Sequence, residues 1–129
     1  MAFSADSSNA SDRSYEISQD ASAKQFHVYK QGTTLKSALL ASSAGEVVMG
    51  ILQDTGLDGS SDVEHGIIRK GGESLCKIGG NISIDDPLQA DDDGEAIVGA
   101  GSDYIFARAL EGGVDGDLIR VEISSEGIL

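Results

Sequence analysis

From Gln25 onward, apolar and polar residues alternate in short runs that mark strands. Phe26 and Val28, with Lys30 in step, alternate with His27 and Tyr29, the period of two of a half-buried strand. Residues 34–42 fit two readings: Leu35, Ala38 and Leu39 share a helical face, whereas Ala38 and Leu40 suit a strand. A strand and a single turn of helix both stay open there. Residues 47–52 form a strand interrupted by Gly50, and glycine inside a strand marks a bulge or a close approach of backbone. Further strands are expected at residues 63–68 and 75–78, at the short segments 87–89 and 96–98 beside the acidic turn Asp91-Asp92-Asp93-Gly94, and at 105–110 and 118–123. Turn signals recur roughly every 8–12 residues, the rhythm of a small sandwich or barrel. No stretch carries a long amphipathic helix. The chain reads as all-β.

Residues 1–24 break this rhythm. Ser and Ala dominate, acids are scattered between them, and the apolar groups of any size are Met1, Phe3, Tyr15 and Ile17. Such a composition buries too little surface to offset chain entropy, so this stretch is expected to form an extended arm without structure of its own. The division expected is therefore an arm at 1–24 and a β-domain at 25–129.

One internal similarity recurs. Gly50-Ile51-Leu52 leads into Gly56-Leu57-Asp58-Gly59 and a strand near Val63, and Arg108-Ala109-Leu110 leads into Gly113-Val114-Asp115-Gly116 and the strand from Leu118. Gly and Asp tolerate the positive φ that a hairpin turn needs, so two unrelated hairpins would carry the same signal. A pseudo-repeat with two equivalent hairpins is the second reading.

Composition narrows the function. The 129 residues suffice for one domain with a modest core, built from Val, Ile, Leu and Ala because there is no Trp and there are only six aromatics. No apolar run approaches the roughly 18–20 residues of a membrane span. The first residues lack a basic start and an apolar h-region, so no secretory signal is expected. The net charge of −13 repels phosphates and argues against nucleic-acid binding. That charge is uneven: residues 80–129 hold twelve acids against Arg108 and Arg120, a net −10, while residues 1–79 sum to −3.

Candidate chemistry is sparse. A lone Cys excludes an internal disulfide and a Cys-based zinc site. Cys76 sits inside a strand, without an elbow or helix terminus to activate it, and reads as a packed thiol. His27 and His65 lack metal-ligand spacing. Tested as a calcium loop around Gly94, the acidic turn puts Gln89 and Ala100 where the first and last ligands belong, so it reads as a solvated turn. Gly99-Ala100-Gly101 lacks the third Gly of a dinucleotide fingerprint. The expectation is a protein without catalytic residues, cofactor or metal.

The order of parts resembles the small capsid decoration, or cement, proteins of tailed bacteriophages. The residues that carry the resemblance are Val47-Val48-Met49-Gly50-Ile51-Leu52-Gln53, then Glu64-His65-Gly66 with Lys77-Ile78-Gly79, then Ile82-Ser83-Ile84-Asp85-Asp86-Pro87-Leu88. They continue through Asp92-Asp93-Gly94-Glu95-Ala96, Ile105-Phe106-Ala107-Arg108-Ala109-Leu110 and Gly116-Asp117-Leu118-Ile119-Arg120-Val121. Asp85-Asp86 departs from the family's usual Gly-Asp, and Phe106 and Arg108 fill positions usually small. The resemblance implies a compact β-barrel or tulip-like domain, a homotrimer on the outer surface of the expanded head. There it would bridge major capsid protein subunits, after assembly in the host cytoplasm, with neither nucleic acid nor membrane as partner. A β-rich module of a phage tail, baseplate or fibre is the alternative.

The arm then reads as an attachment device. Extended peptides become ordered when they pair with a strand edge and seat a few side chains in pockets. Phe3, Tyr15 and Ile17 are the candidates for those pockets, with Asp12 and Arg13 adding polar contacts to a neighbouring decoration subunit or the major capsid protein. Folding back along its own barrel is the alternative.

Overall fold

The computed structural model describes residues 11–54 and 64–128. Ten strands occur in it: β1 (Asp12–Ile17), β2 (Val28–Gln31), β3 (Ala38–Leu40), β4 (Gly50–Leu52), β5 (Glu64–Arg69), β6 (Gly72–Lys77), β7 (Pro87–Ala90), β8 (Ala96–Val98), β9 (Tyr104–Ala109) and β10 (Leu118–Ile128). All ladders are antiparallel, and among the described residues there is no helix. The all-β expectation holds.

The strands do not form one closed barrel. They divide into two five-stranded sheets, ordered β1-β5-β4-β2-β3 and β6-β10-β9-β7-β8. The second order is the first with every strand number raised by five, so the chain lays down the same topology twice. Each sheet curls until its two edges meet at one parallel bridge, Glu16↔Ser37 in the first and Ile78↔Ala96 in the second, and stops short of a continuous ladder. The β4–β5 and β9–β10 hairpins occupy equivalent places, which favours the pseudo-repeat reading of the two Gly-Asp turns. The first of those turns, at 56–59, lies outside the described residues.

Two clusters of buried side chains hold the molecule. One belongs wholly to the first half: Tyr15, Ile17, Ala21, Tyr29, Ala38, Leu52 and Ile68, with Leu40 and Met49 packed against it. The other fuses the halves, placing Val28, Ala41, Val48 and Ile51 against Cys76, Ile78, Leu88, Phe106, Ile119 and Val121. Backbone bonds cross the same seam, from Val28 N–H to Gly94 O at 2.7 Å, Gly45 N–H to Ala90 O at 2.9 Å and Lys77 N–H to Phe26 O at 3.0 Å.

This double core corrects the reading of β2. Val28 and Tyr29 are both fully buried, because one side chain enters the shared core and its neighbour the first-half core. Phe26 precedes the strand, at φ 65° and half-buried. Residues 34–42 resolve to a turn with Lys36 at φ 58° followed by β3. Gly50 is a point of close approach, since a Cβ there would strike the Arg69 carbonyl.

The larger difference concerns residues 11–24. β1 pairs with β5 of the same chain over six registered positions, from Asp12↔Arg69 to Ile17↔Glu64. Composition argued against structure here because the segment cannot build a core alone. The physical reason it folds is that β5 supplies backbone partners and an existing apolar face, so two inward residues are enough.

Candidate interaction surface

The residues singled out from the sequence as contact groups are brought together in β1, except Phe3, which lies outside the described residues. Tyr15 and Ile17 alternate inward and are 8% and 1% exposed, so both serve the first-half core. The Tyr15 hydroxyl accepts a hydrogen bond from Lys70 Nζ at 3.0 Å, and the ammonium stands 5.7 Å from the ring centre. Asp12 receives Arg69 through two bonds, Nε to Oδ1 at 2.8 Å and the second guanidinium nitrogen to Oδ2 at 3.1 Å. This hydrogen bond and the carboxylate charge hold the guanidinium even more firmly protonated than usual. Arg69 also donates to Glu73 O at 2.8 Å, which ties β1, β5 and β6 along the seam. Arg13 is exposed and donates to Asp12 O at 3.1 Å.

Most of the reactive-looking groups are sealed or occupied. Cys76 is fully buried, and burial, reinforced by Asp91 and Glu95, pushes its thiol well above the usual range. A thiol held protonated in an aliphatic core is a poor nucleophile. His27 lies at the seam with Nδ1 3.2 Å from Gln25 O and Nε2 3.7 Å from Glu95. His65 is exposed on β5. Asp91, Asp92 and Asp93 bring their carboxylates within 4.8 Å of one another. Asp91 is already engaged, accepting from Asp93 N–H at 2.8 Å and Glu95 N–H at 2.9 Å. With Gly94 at φ 75° beside Leu40, the turn is a plug that docks the second half on the first.

What remains for contact is the outer surface. Leu35 is 87% exposed in the β2–β3 turn, and Ile84, Val114 and Leu118 stand out at one end of the second sheet. Sequence patterning missed them as a group because they lie in separate segments that only the fold brings to one end.

No family model and no curated protein matches the chain. Among solved structures it is similar to the crystal structure of the head fiber gp8.5 N base of bacteriophage phi29, with a TM-score of 0.65 and 18% identity over 89% of this chain and 94% of that one. The likeness is one of fold, and it spans both sheets.

Proposed function

We propose that this chain is a structural protein of a phage head. In this reading it decorates the outer surface of the expanded capsid as a cement, bridging major capsid protein subunits, and carries no catalytic site. The observation behind the reading is the shared architecture with a phage head fiber base over nearly the whole of both chains. The chemistry agrees: the one thiol is buried, Asp91 serves its own turn, and the net charge of −13 suits dense packing on a particle without aggregation. A homotrimer fits the modest core, since association buries further strand surface. Charge argues against nucleic acid as partner, and among the described residues no helix is long and apolar enough to cross a membrane.

A second reading, a fibre-associated module, is favoured by the words "head fiber" and "base" describing that neighbour. One experiment addresses both. Purified protein is added to expanded heads lacking it, and its copy number and position are measured by cryo-electron microscopy, with particle stability followed on heating. Bound density on capsid subunits and a higher disruption temperature are expected. Bound density without stabilisation shifts the assignment to the fibre module, and absence of binding overturns the head assignment.

A further inference from the structure

Ile84, Val114 and Leu118 are 64%, 57% and 48% exposed, at the end of the second sheet built by residues 79–86 and 110–117. These segments are locked together. Ile82 N–H donates to Gly113 O at 2.9 Å and Gly113 N–H returns a bond to Ile82 O at 3.0 Å, while Ile78 N–H donates to Asp117 O at 3.0 Å. Each loop is also held from within: Asp86 accepts from Ser83 N–H at 2.8 Å, and Asp117 accepts from Val114 N–H at 2.9 Å. Asp85, at φ 73°, donates its N–H to Ala109 O at 2.8 Å. Apolar side chains on loops fixed in this way meet a partner without a large ordering cost.

The charge around them is predominantly negative. Residues 79–86 and 110–117 contain Asp85, Asp86, Glu111, Asp115 and Asp117 and no base. Two cations reach this end from the strands, Arg108, which donates to Asp85 O at 3.3 Å, and Lys77, opposite Leu118, so acids outnumber bases there. The described chain ends leave elsewhere: Lys70 N–H donates to Ser11 O at 2.8 Å beside the β5–β6 turn, and Ile123 pairs with Gly72, at the opposite end of the sheet.

We infer that this acid-rimmed apolar tip is the contact by which the protein seats on a basic protein surface, one that presents an apolar side chain among lysines and arginines. The inference rests on the head assignment above and places that basic surface on the outside of the head. Charge selects the occupant. Two copies of this tip face to face would set like charges against each other, and a phosphate-rich ligand would be repelled.

Three measurements test it. The isotope-labelled full chain is titrated with a short alternating Lys-Leu peptide and followed by NMR. Shifts concentrated in residues 82–86 and 111–118 are expected, abolished by about 0.5 M NaCl and by the Ile84→Ser/Val114→Ser double substitution. Shifts centred on Asp91–Asp93, or spread evenly over the acids, overturn the tip. On expanded heads lacking the protein, the double variant is expected to bind about tenfold or more weakly, while Val98→Ser, at an exposed position of β8, binds like the parent. Equal binding by the double variant overturns the tip and leaves the head assignment standing. If the parent itself fails to bind heads, the head assignment falls and the peptide footprint decides the tip alone. Conversion of a parent oligomer to monomer by the double variant, seen in sedimentation, would make the tip a self-contact and overturn the inference.

Discussion

The two halves share one strand order and solve the problem of burying it differently. In the second half, the leading strand β6 follows β5 of the other sheet through a tight turn at Lys70 and Gly71, with Gly72 at φ 90°, so the preceding strand delivers it to its place beside β10. In the first half, the equivalent strand β1 has no preceding strand in the described chain to deliver it, and side chains do the holding: Ile17 and Tyr15 in the core, Asp12 on Arg69, the Tyr15 hydroxyl on Lys70. The cores differ as well. The second-half side of the shared core is aliphatic apart from Cys76 and Phe106, whereas the first-half core encloses the Tyr29 hydroxyl with no hydrogen-bond partner. A repeated topology thus tolerates one half with weaker connectivity and an imperfect core, provided the seam binds it to the other.

The most severe break in this comparison is removal of residues 1–24. Deletion uncovers Leu52, Ile68 and Tyr29, and the first half is expected to lose cooperative unfolding while β6–β10 protection persists, as read by hydrogen exchange and calorimetry. Full thermal stability of the truncated chain would show that β1 is an accessory and that the two halves are not equivalent in the way their strand orders suggest.

Large-to-small changes in each core come next. Ile17→Ala and Leu88→Ala each leave a cavity at a fully or almost fully buried site and are expected to cost about 2–5 kcal/mol in denaturant titration. If the seam makes the halves one cooperative unit, both lower a single transition; separate transitions would divide the molecule at β5–β6.

Alkaline pH probes the buried acids of the two cores. Burial raises Cys76 above its usual 9.0 and, with the charge of Asp20, raises Tyr29 from 10.0 to about 12. For an acid raised on folding, the stabilisation is complete below the unfolded value and is lost as pH rises past it, because the unfolded chain ionises first. Stability is therefore expected to fall above about pH 9, and Cys76→Ala should flatten the first part of that fall at a cost of about 1 kcal/mol or somewhat more near neutrality. An unchanged alkaline limb would mean that the thiol is reached by water.

Smaller effects sharpen the contrast. Tyr29→Phe removes a hydroxyl that has no partner and is expected to be neutral or stabilising by up to about 1 kcal/mol, against the usual sign for a buried truncation. A clear loss would reveal a partner for that oxygen. Glu46 behaves in the opposite sense at low pH. Burial raises its carboxyl, but bonds from Ser42 N–H, Ser43 N–H and Lys30 outweigh burial and lower it below 4.5. Its contribution is present above that value and lost as pH falls through the lowered one, so Glu46→Gln should shallow the acid limb.

The strands themselves were legible because their pattern is local. Alternation placed β5 to β9 and the start of β10 within a few residues of their observed bounds, although β10 continues past the expected Ile123 to Ile128 beyond a register shift, and Gly50 announced the close approach to Arg69. β1 was legible only in part: Tyr15 and Ile17 carry the period of two, but the Ser- and Ala-rich setting hid it. Their assignment to external pockets followed from reading the arm as unable to fold, whereas the structure seats both in the chain's own first-half core.

By itself, the sequence determined an all-β chain, a largely aliphatic core, an acidic second half and an unactivated thiol, since each depends on composition or on neighbours a few positions apart. Only the tertiary structure decided that the strands form two sheets of one topology rather than a single barrel. It also decided that Val28 and Tyr29 face different cores, and that Ile84, Val114 and Leu118 share one end. Those outcomes turn on contacts between residues far apart in sequence. Alternation specifies that a strand has two faces, but which partner covers each face is settled by competition among all the strands at once.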